Sequence, residues 1–215
     1  MTRIVEATFT CPNCECEFPV EALAGTNVGA VTTEFRRLAI GIQPEPYLVH
    51  TCPTCGLSGW DSAFEDTVST VASQLIAEHL TPLVRDGEVP AWRRYEYAAR
   101  VAEWRDAPDE DVAHLYLGAA WCYDDENEDS GGELADGYRR QAIAFNQRAL
   151  ESGQLAGNQQ AEITYLVGEL YRRVGDVEQA GQWLHMVDEL VEPDEIGARI
   201  ATLAKRQRTA PEDML

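Results

Sequence analysis

Between residues 157 and 175 the apolar positions recur at helical spacing. Ile163, Leu166, Val167, Leu170, Tyr171 and Val174 fall at i, i+3, i+4, i+7, i+8 and i+11, one face of an α-helix and a stripe for a packed core. The same periodicity runs from Asp61 to about Arg206, cut by helix starts and stops. Ser62-Ala63-Phe64-Glu65 reads as a capping box, which predicts a first helix to about Leu80, stopped by Pro82. Pro90 fits the first position of a second helix, reaching about Asp106. Pro108-Asp109 opens a third, ending near Tyr123, and a polar acidic loop follows from Asp124 to Gly132. A fourth runs from about Glu133 to Glu151. Asn158 caps a fifth that ends at Gly175, and Asp176 caps a sixth that ends before Pro193. A short seventh covers about 194–206.

The last two strong helices carry the spacing of one tetratricopeptide repeat: Val167-Gly168, Tyr171, the Gly175-Asp176 turn, Ala180 and Pro193. Leu117-Gly118 with Trp121, then Ala142 to Ala149, repeats the theme in the preceding pair, but a longer loop breaks the period. Small residues at these points let helices approach closely, and short turns between them give an antiparallel array.

Residues 1–60 follow a different rule. Short β-prone runs, Phe18 to Val20, Val28 to Phe35 and Tyr47 to His50, alternate with Pro and Gly, and large apolar residues are few. A unit this small needs a staple. Cys11-Pro12-Asn13-Cys14 and Cys52-Pro53-Thr54-Cys55-Gly56 supply one. Two residues between cysteines let a tight turn aim both thiolates at one ion, and two such turns complete the closed four-sulfur site of structural zinc. A thioredoxin-type redox pair is the competing reading of C-x-x-C, but no βαβ unit surrounds either copy. Cys16 is close enough to replace Cys14 and is read as a spare thiol. His50 lies near Cys52 and is read as a neighbour rather than a ligand, and Cys122 as a buried small hydrophobe.

Charge narrows the partners. The chain of 215 residues carries a formal charge of −20, from 37 acidic and 17 basic side chains. Such a surface repels phosphate backbones and anionic lipid. The first sixty residues hold three arginines against six glutamates and no basic stripe, which argues against a nucleic-acid-binding ribbon. No apolar run reaches a membrane span, and the N-terminal residues lack an export-signal core, so the expectation is a cytoplasmic protein with reduced thiols. Asp125, Asn127, Asp129 and Asp136 mimic a calcium loop, but Ser130 stands where such a loop needs Gly, and the stretch is expected to be a solvated insertion without calcium.

Several blocks together resemble the bacterial domain-of-unknown-function family 2225. They are Cys11 to Cys14 with Glu17-Phe18, an arginine-bearing segment leading through Gly41-Ile42-Gln43-Pro44 to Tyr47, Val49 to Gly56, Tyr97-Ala98-Ala99, and Ala113 to Trp121. The extra thiol Cys16 and the acidic stretch after Tyr123 depart from that pattern. The resemblance implies a zinc-ribbon-like part followed by a tetratricopeptide-like part, and no assigned activity. The expected class is therefore mainly α. A zinc-ribbon-like α+β head (1–60) precedes a tetratricopeptide-like antiparallel helical array (61–208) and a flexible tail (209–215). The expected function is a non-catalytic zinc-binding scaffold with structural Zn2+ on Cys11, Cys14, Cys52 and Cys55, its array binding a protein or peptide. An enzyme with an unrecognised active site is the alternative; no P-loop, dinucleotide fingerprint, nucleophile elbow or H-E-x-x-H is present.

Overall fold

Alternating exposure along β1 (Arg3–Thr10) pairs it antiparallel with β2 (Glu17–Gly25), the register placing Phe9 opposite Phe18 and Thr10 opposite Glu17. The first cysteine pair is the tip of this hairpin. The computed structural model describes residues 2–85, 87–127 and 132–215. β3 (Val28–Val31) and β4 (Arg37–Ala39) form a second antiparallel pair, and β5 (His50–Thr51) and β6 (Ser58–Gly59) a third, whose tip is the second cysteine pair. Sequence patterning missed β1, and Tyr47 lies in a 3-10 turn rather than a strand.

Among the described residues seven α-helices follow: α1 (Thr70–His79), α2 (Ala91–Trp104), α3 (Asp109–Glu126), α4 (Glu133–Glu151), α5 (Gly157–Arg173), α6 (Val177–Leu190) and α7 (Glu195–Thr209). From α2 to α7 each packs on the next. The expected small residues set two of these contacts. A Cβ at Gly168 of α5 would meet Leu184 Cγ of α6 at 2.8 Å, and one at Gly118 of α3 would enter the ring of Tyr95 of α2. Asp176 caps α6 as expected, its side chain accepting from the Gln179 amide.

Two of the expected caps need correction. Asp61–Phe64 form a 3-10 turn with Glu65 beyond its end, and α1 begins only after Ser69, whose Oγ accepts from the Ala72 amide. Phe64 decides the matter: it is drawn into a ring cluster with Phe9 and Phe18 at 5.3 and 5.6 Å, and that burial outweighs a local cap. Asn158 does not cap its own helix. It donates to the Asp194 carboxylate and accepts from the Glu192 amide, tying α5 to the start of α7. At the other end of the chain, residues 213–215 lie beside the end of β3: the Leu215 amide donates to Val31 O at 2.9 Å, and the Thr33 amide to Asp213 O at 3.1 Å.

Two interiors meet along α2. Tyr97 and Val101 enter an apolar cluster with Cys11, Cys52, Cys55, Phe18, Leu57, Ile76 and Leu80. Tyr95, Ala98 and Ala99, on the same helix, enter the larger cluster built on α3, α4 and α5. A third cluster, around Tyr165, Leu184 and Ile200, joins α5, α6 and α7.

Candidate metal centre

The two cysteine turns are built alike. In the first, the Cys11 amide donates to Cys16 O at 2.9 Å and the Glu15 amide to Cys11 O at 2.8 Å. In the second, the Cys52 amide donates to Leu57 O at 2.8 Å and the Gly56 amide to Cys52 O at 2.9 Å. Both turns need a left-handed residue just after the second cysteine: φ is +86° at Gly56 and +60° at Glu15. Glycine adopts that conformation freely, whereas glutamate is strained there. The same turns direct amides at sulfur, from Asn13 and Cys14 to Cys11 Sγ and from Thr54 and Cys55 to Cys52 Sγ.

The hairpin tips face each other, and the thiols of Cys11, Cys14, Cys52 and Cys55 lie within 4.8 Å of one another. Cys11 Sγ is 3.6 Å from Cys55 Sγ, and Cys14 Sγ is 3.6 Å from Cys52 Sγ. A disulfide needs about 2.05 Å between sulfurs. Sulfurs at about 2.3 Å from a tetrahedral zinc stand about 3.8 Å apart, so the spacing suits an ion at the centre. Without a cation the thiols share charge unevenly. S–H groups of Cys11 and Cys55 hold Cys52 far below its ordinary value. Hydrogen bonds to Cys52 and Cys55 push Cys11 far up, and burial pushes Cys14 up to about 12. A soft divalent cation resolves this competition by letting all four ionise.

Cys16 Sγ stands outside the cluster, accepting from Thr54 Oγ1 at 3.1 Å. The His50 ring turns away, edge-on to Phe9 at 5.0 Å with Nε2 3.1 Å from Asp61 Oδ1. Cys122 is buried in the helical interior, where desolvation pushes its thiol up.

Local patterning did not reveal a buried ionic junction between the strands and the array. The β3–β4 turn inserts there with Phe35 at φ +62°, an outlier for an aromatic residue, and its ring 5.2 Å from that of Tyr165. Glu34 accepts from Arg139 Nε at 2.7 Å and from Trp121 Nε1 at 3.1 Å, and Arg139 also reaches Asp124. Arg36 lies over the Trp121 ring and donates to Glu45 at 3.0 Å and to Asp125. Thr33 Oγ1 donates to Glu169, which is also held by Arg172. Asp124 and Asp125 thus belong to α3, which runs to Glu126, and not to a solvated loop; two arginines sunk among apolar residues recruit them. Asp129, Ser130 and Gly131 of the calcium-like stretch lie outside the described residues. The one signal available beforehand was the resemblance itself, since an arginine-bearing segment leading through Gly41 to Tyr47, and Trp121, belong to its blocks.

No described helix is long and apolar enough to cross a membrane. Neither the curated proteins nor the solved structures contain a match to this chain. Residues 4–210 match the family described as uncharacterized protein conserved in bacteria (DUF2225), and with nearly its whole length so matched the chain belongs to that family.

Proposed function

We propose that this chain is a non-catalytic, cytoplasmic scaffold in which one structural zinc ion on Cys11, Cys14, Cys52 and Cys55 fixes the strand-rich end, and a tetratricopeptide-like helical array holds a protein or peptide. The observation that carries the reading is the convergence of four thiols at tetrahedral spacing from two hairpin tips of like construction. Four protein sulfurs fill the coordination sphere, so the ion has no open position at which to activate water, and its contribution is folding energy. The close helix contacts at Gly118 and Gly168 favour a repeat-like stack, the kind of architecture that presents extended binding surfaces.

Elemental analysis of purified protein tests the metal: about one zinc per chain is expected, lost in Cys55→Ser together with thermal stability. Metal-free folded protein with four freely titrating thiols would remove the reading. Crosslinking in the native host followed by mass spectrometry tests the scaffold role. A stoichiometric protein partner supports it; a retained small molecule that is turned over would replace it with the enzyme alternative.

A further inference from the structure

A cleft of about 400 Å³ opens between β2, β5 and the start of α2. Its walls are largely apolar: Phe18 and Val20 of β2, Tyr47 of the 3-10 turn, and Val84 and Val89 of the stretch leading into α2. This size and lining are those of a small-molecule site. Among the described residues its charged groups are Arg94, Glu21 and Glu88. His50 also borders it, with Nε2 committed to Asp61 at 3.1 Å.

Arg94 differs from the other arginines that the fold draws inward. Arg36, Arg139 and Arg172 each hold a carboxylate, as expected in a chain with 37 acidic residues. Arg94 makes no ion pair among the described residues. Its Nε is sunk in the wall with no acceptor, Nη1 reaches only Val49 O at 3.4 Å, and Nη2 has no protein acceptor. The side chain is also held where it is. On one side of it along α2 the Tyr95 hydroxyl donates to Glu45 O at 3.0 Å, and on the other Tyr97 is packed with Phe18 and Leu57. A guanidinium is charged at every relevant pH, and its planar fork matches a carboxylate. The cleft therefore presents a fixed positive charge that no carboxylate of the protein answers by contact.

The remaining lining groups narrow what could answer it. Glu21 and Glu88 are exposed, and neither makes an ion pair among the described residues. They repel a second negative charge on an occupant, which disfavours phosphates and dicarboxylates. The apolar walls match an uncharged hydrocarbon body. One carboxylate on a short apolar body satisfies all three conditions.

We infer that the cleft between β2 and α2 binds a small apolar monocarboxylate, its carboxylate on the Nη end of Arg94 and its body against Val20, Tyr47, Val84 and Val89. The site is independent of the scaffold reading. A bound ligand ties β2 to α2, the helix along which the two interiors meet.

The test is calorimetric titration of the full chain with sodium 4-methylpentanoate at moderate salt. A saturable one-to-one isotherm is expected. The neutral 4-methylpentanamide, with the same body, and glutarate, with a second carboxylate, should each bind about tenfold more weakly or worse, the amide because it forfeits a charge-assisted hydrogen bond. Arg94→Gln should remove a similar factor for the acid and leave the amide unchanged, a split that mere loss of packing would not produce. Glu21→Gln with Glu88→Gln should bring glutarate closer to 4-methylpentanoate. In the unmodified chain the acid should slow hydrogen exchange in β2 and in residues 49–51 and leave α5 and α6 unaltered. Equal binding of acid and amide, an unchanged isotherm in Arg94→Gln, or no saturable binding at millimolar concentration overturns the inference. A leucine-terminated pentapeptide that binds tenfold more tightly than the acid overturns it in favour of a partner's C-terminus. Zinc content and melting temperature of the same samples report on the scaffold separately, so failure of this site leaves that reading standing.

Discussion

Replacing Glu34 by alanine should be among the most damaging single changes in the chain. The Glu34 carboxylate is 4% exposed and accepts from Arg139, itself 1% exposed, and from Trp121. Alanine leaves the Arg139 guanidinium buried with Asp124 as its remaining carboxylate, and leaves the Trp121 N–H without its acceptor. Breaking one side of a buried ion pair costs about 3–5 kcal/mol. In a chain of this length each kcal/mol moves the melting temperature by about 2–4 °C, so a fall of about 6–20 °C is expected. Glu34→Gln keeps an acceptor for both neighbours and should cost roughly half as much. Glu34→Leu with Arg139→Met removes both charges and should recover part of the loss, because apolar replacement of a buried pair is often near neutral. Burial by itself would raise the Glu34 carboxyl, but the Arg139 guanidinium outweighs it and the net shift is downward. Its contribution is therefore complete above the ordinary glutamate value of about 4.3 and is lost as pH falls through the lower folded value. Calorimetric melts from pH 3 to 7 check both points. A cost for Glu34→Ala below about 1 kcal/mol, or the same acid sensitivity in Glu34→Gln as in the unmodified chain, would refute the reasoning.

The two cysteine turns should respond oppositely to substitution at equivalent positions. Glu15→Gly relieves a left-handed glutamate and should stabilise by about 1 kcal/mol, whereas Gly56→Ala adds strain and a Cβ 2.8 Å from Leu80 Cβ and should cost about 2–4 kcal/mol, both read by denaturant titration. Gly118→Ala should cost about 1–3 kcal/mol, because the Tyr95 ring it would strike is pinned by its hydroxyl on Glu45 O at 3.0 Å; a neutral result would mean that α2 and α3 slide apart freely. Stripping the proposed metal ion with a chelator should expose the amides of β1, β2, β5 and β6 to hydrogen exchange while α5 and α6 stay protected, and uniform protection would exclude a stapling role for an ion there.

What the sequence disclosed follows from the range of the interactions involved. The cysteine turns are local devices: spacing, proline and glycine specify them within six residues, and all four thiols converge as expected. The stripe from Ile163 to Val174 and the Asp176 cap are equally local and hold. Ser62 misled because its cap competes with Phe64, whose ring partners lie more than forty residues earlier. Asp124 and Asp125 misled because an acidic run looks solvated until Arg36 and Arg139 are known to be buried beside it. The seat of residues 213–215 is a pairing with Val31 to Thr33 at the other end of the chain, and no window of the sequence contains both partners.

The β3–β4 turn has a consequence for synthesis. Thr33 pairs with Glu169 and with Asp213, and Glu34 with Arg139, separations of 136, 180 and 105 residues. At about 5–20 residues per second, Glu34 waits roughly 5–20 s on the ribosome for its arginine. The cysteine turns, separated by 44 residues between Cys11 and Cys55, can close around an ion well before then. The turn is thus synthesised early and completed late. While it waits, its glutamate and arginines remain hydrated, and charged groups of this kind keep the nascent segment soluble until α4 and α5 emerge to cover it.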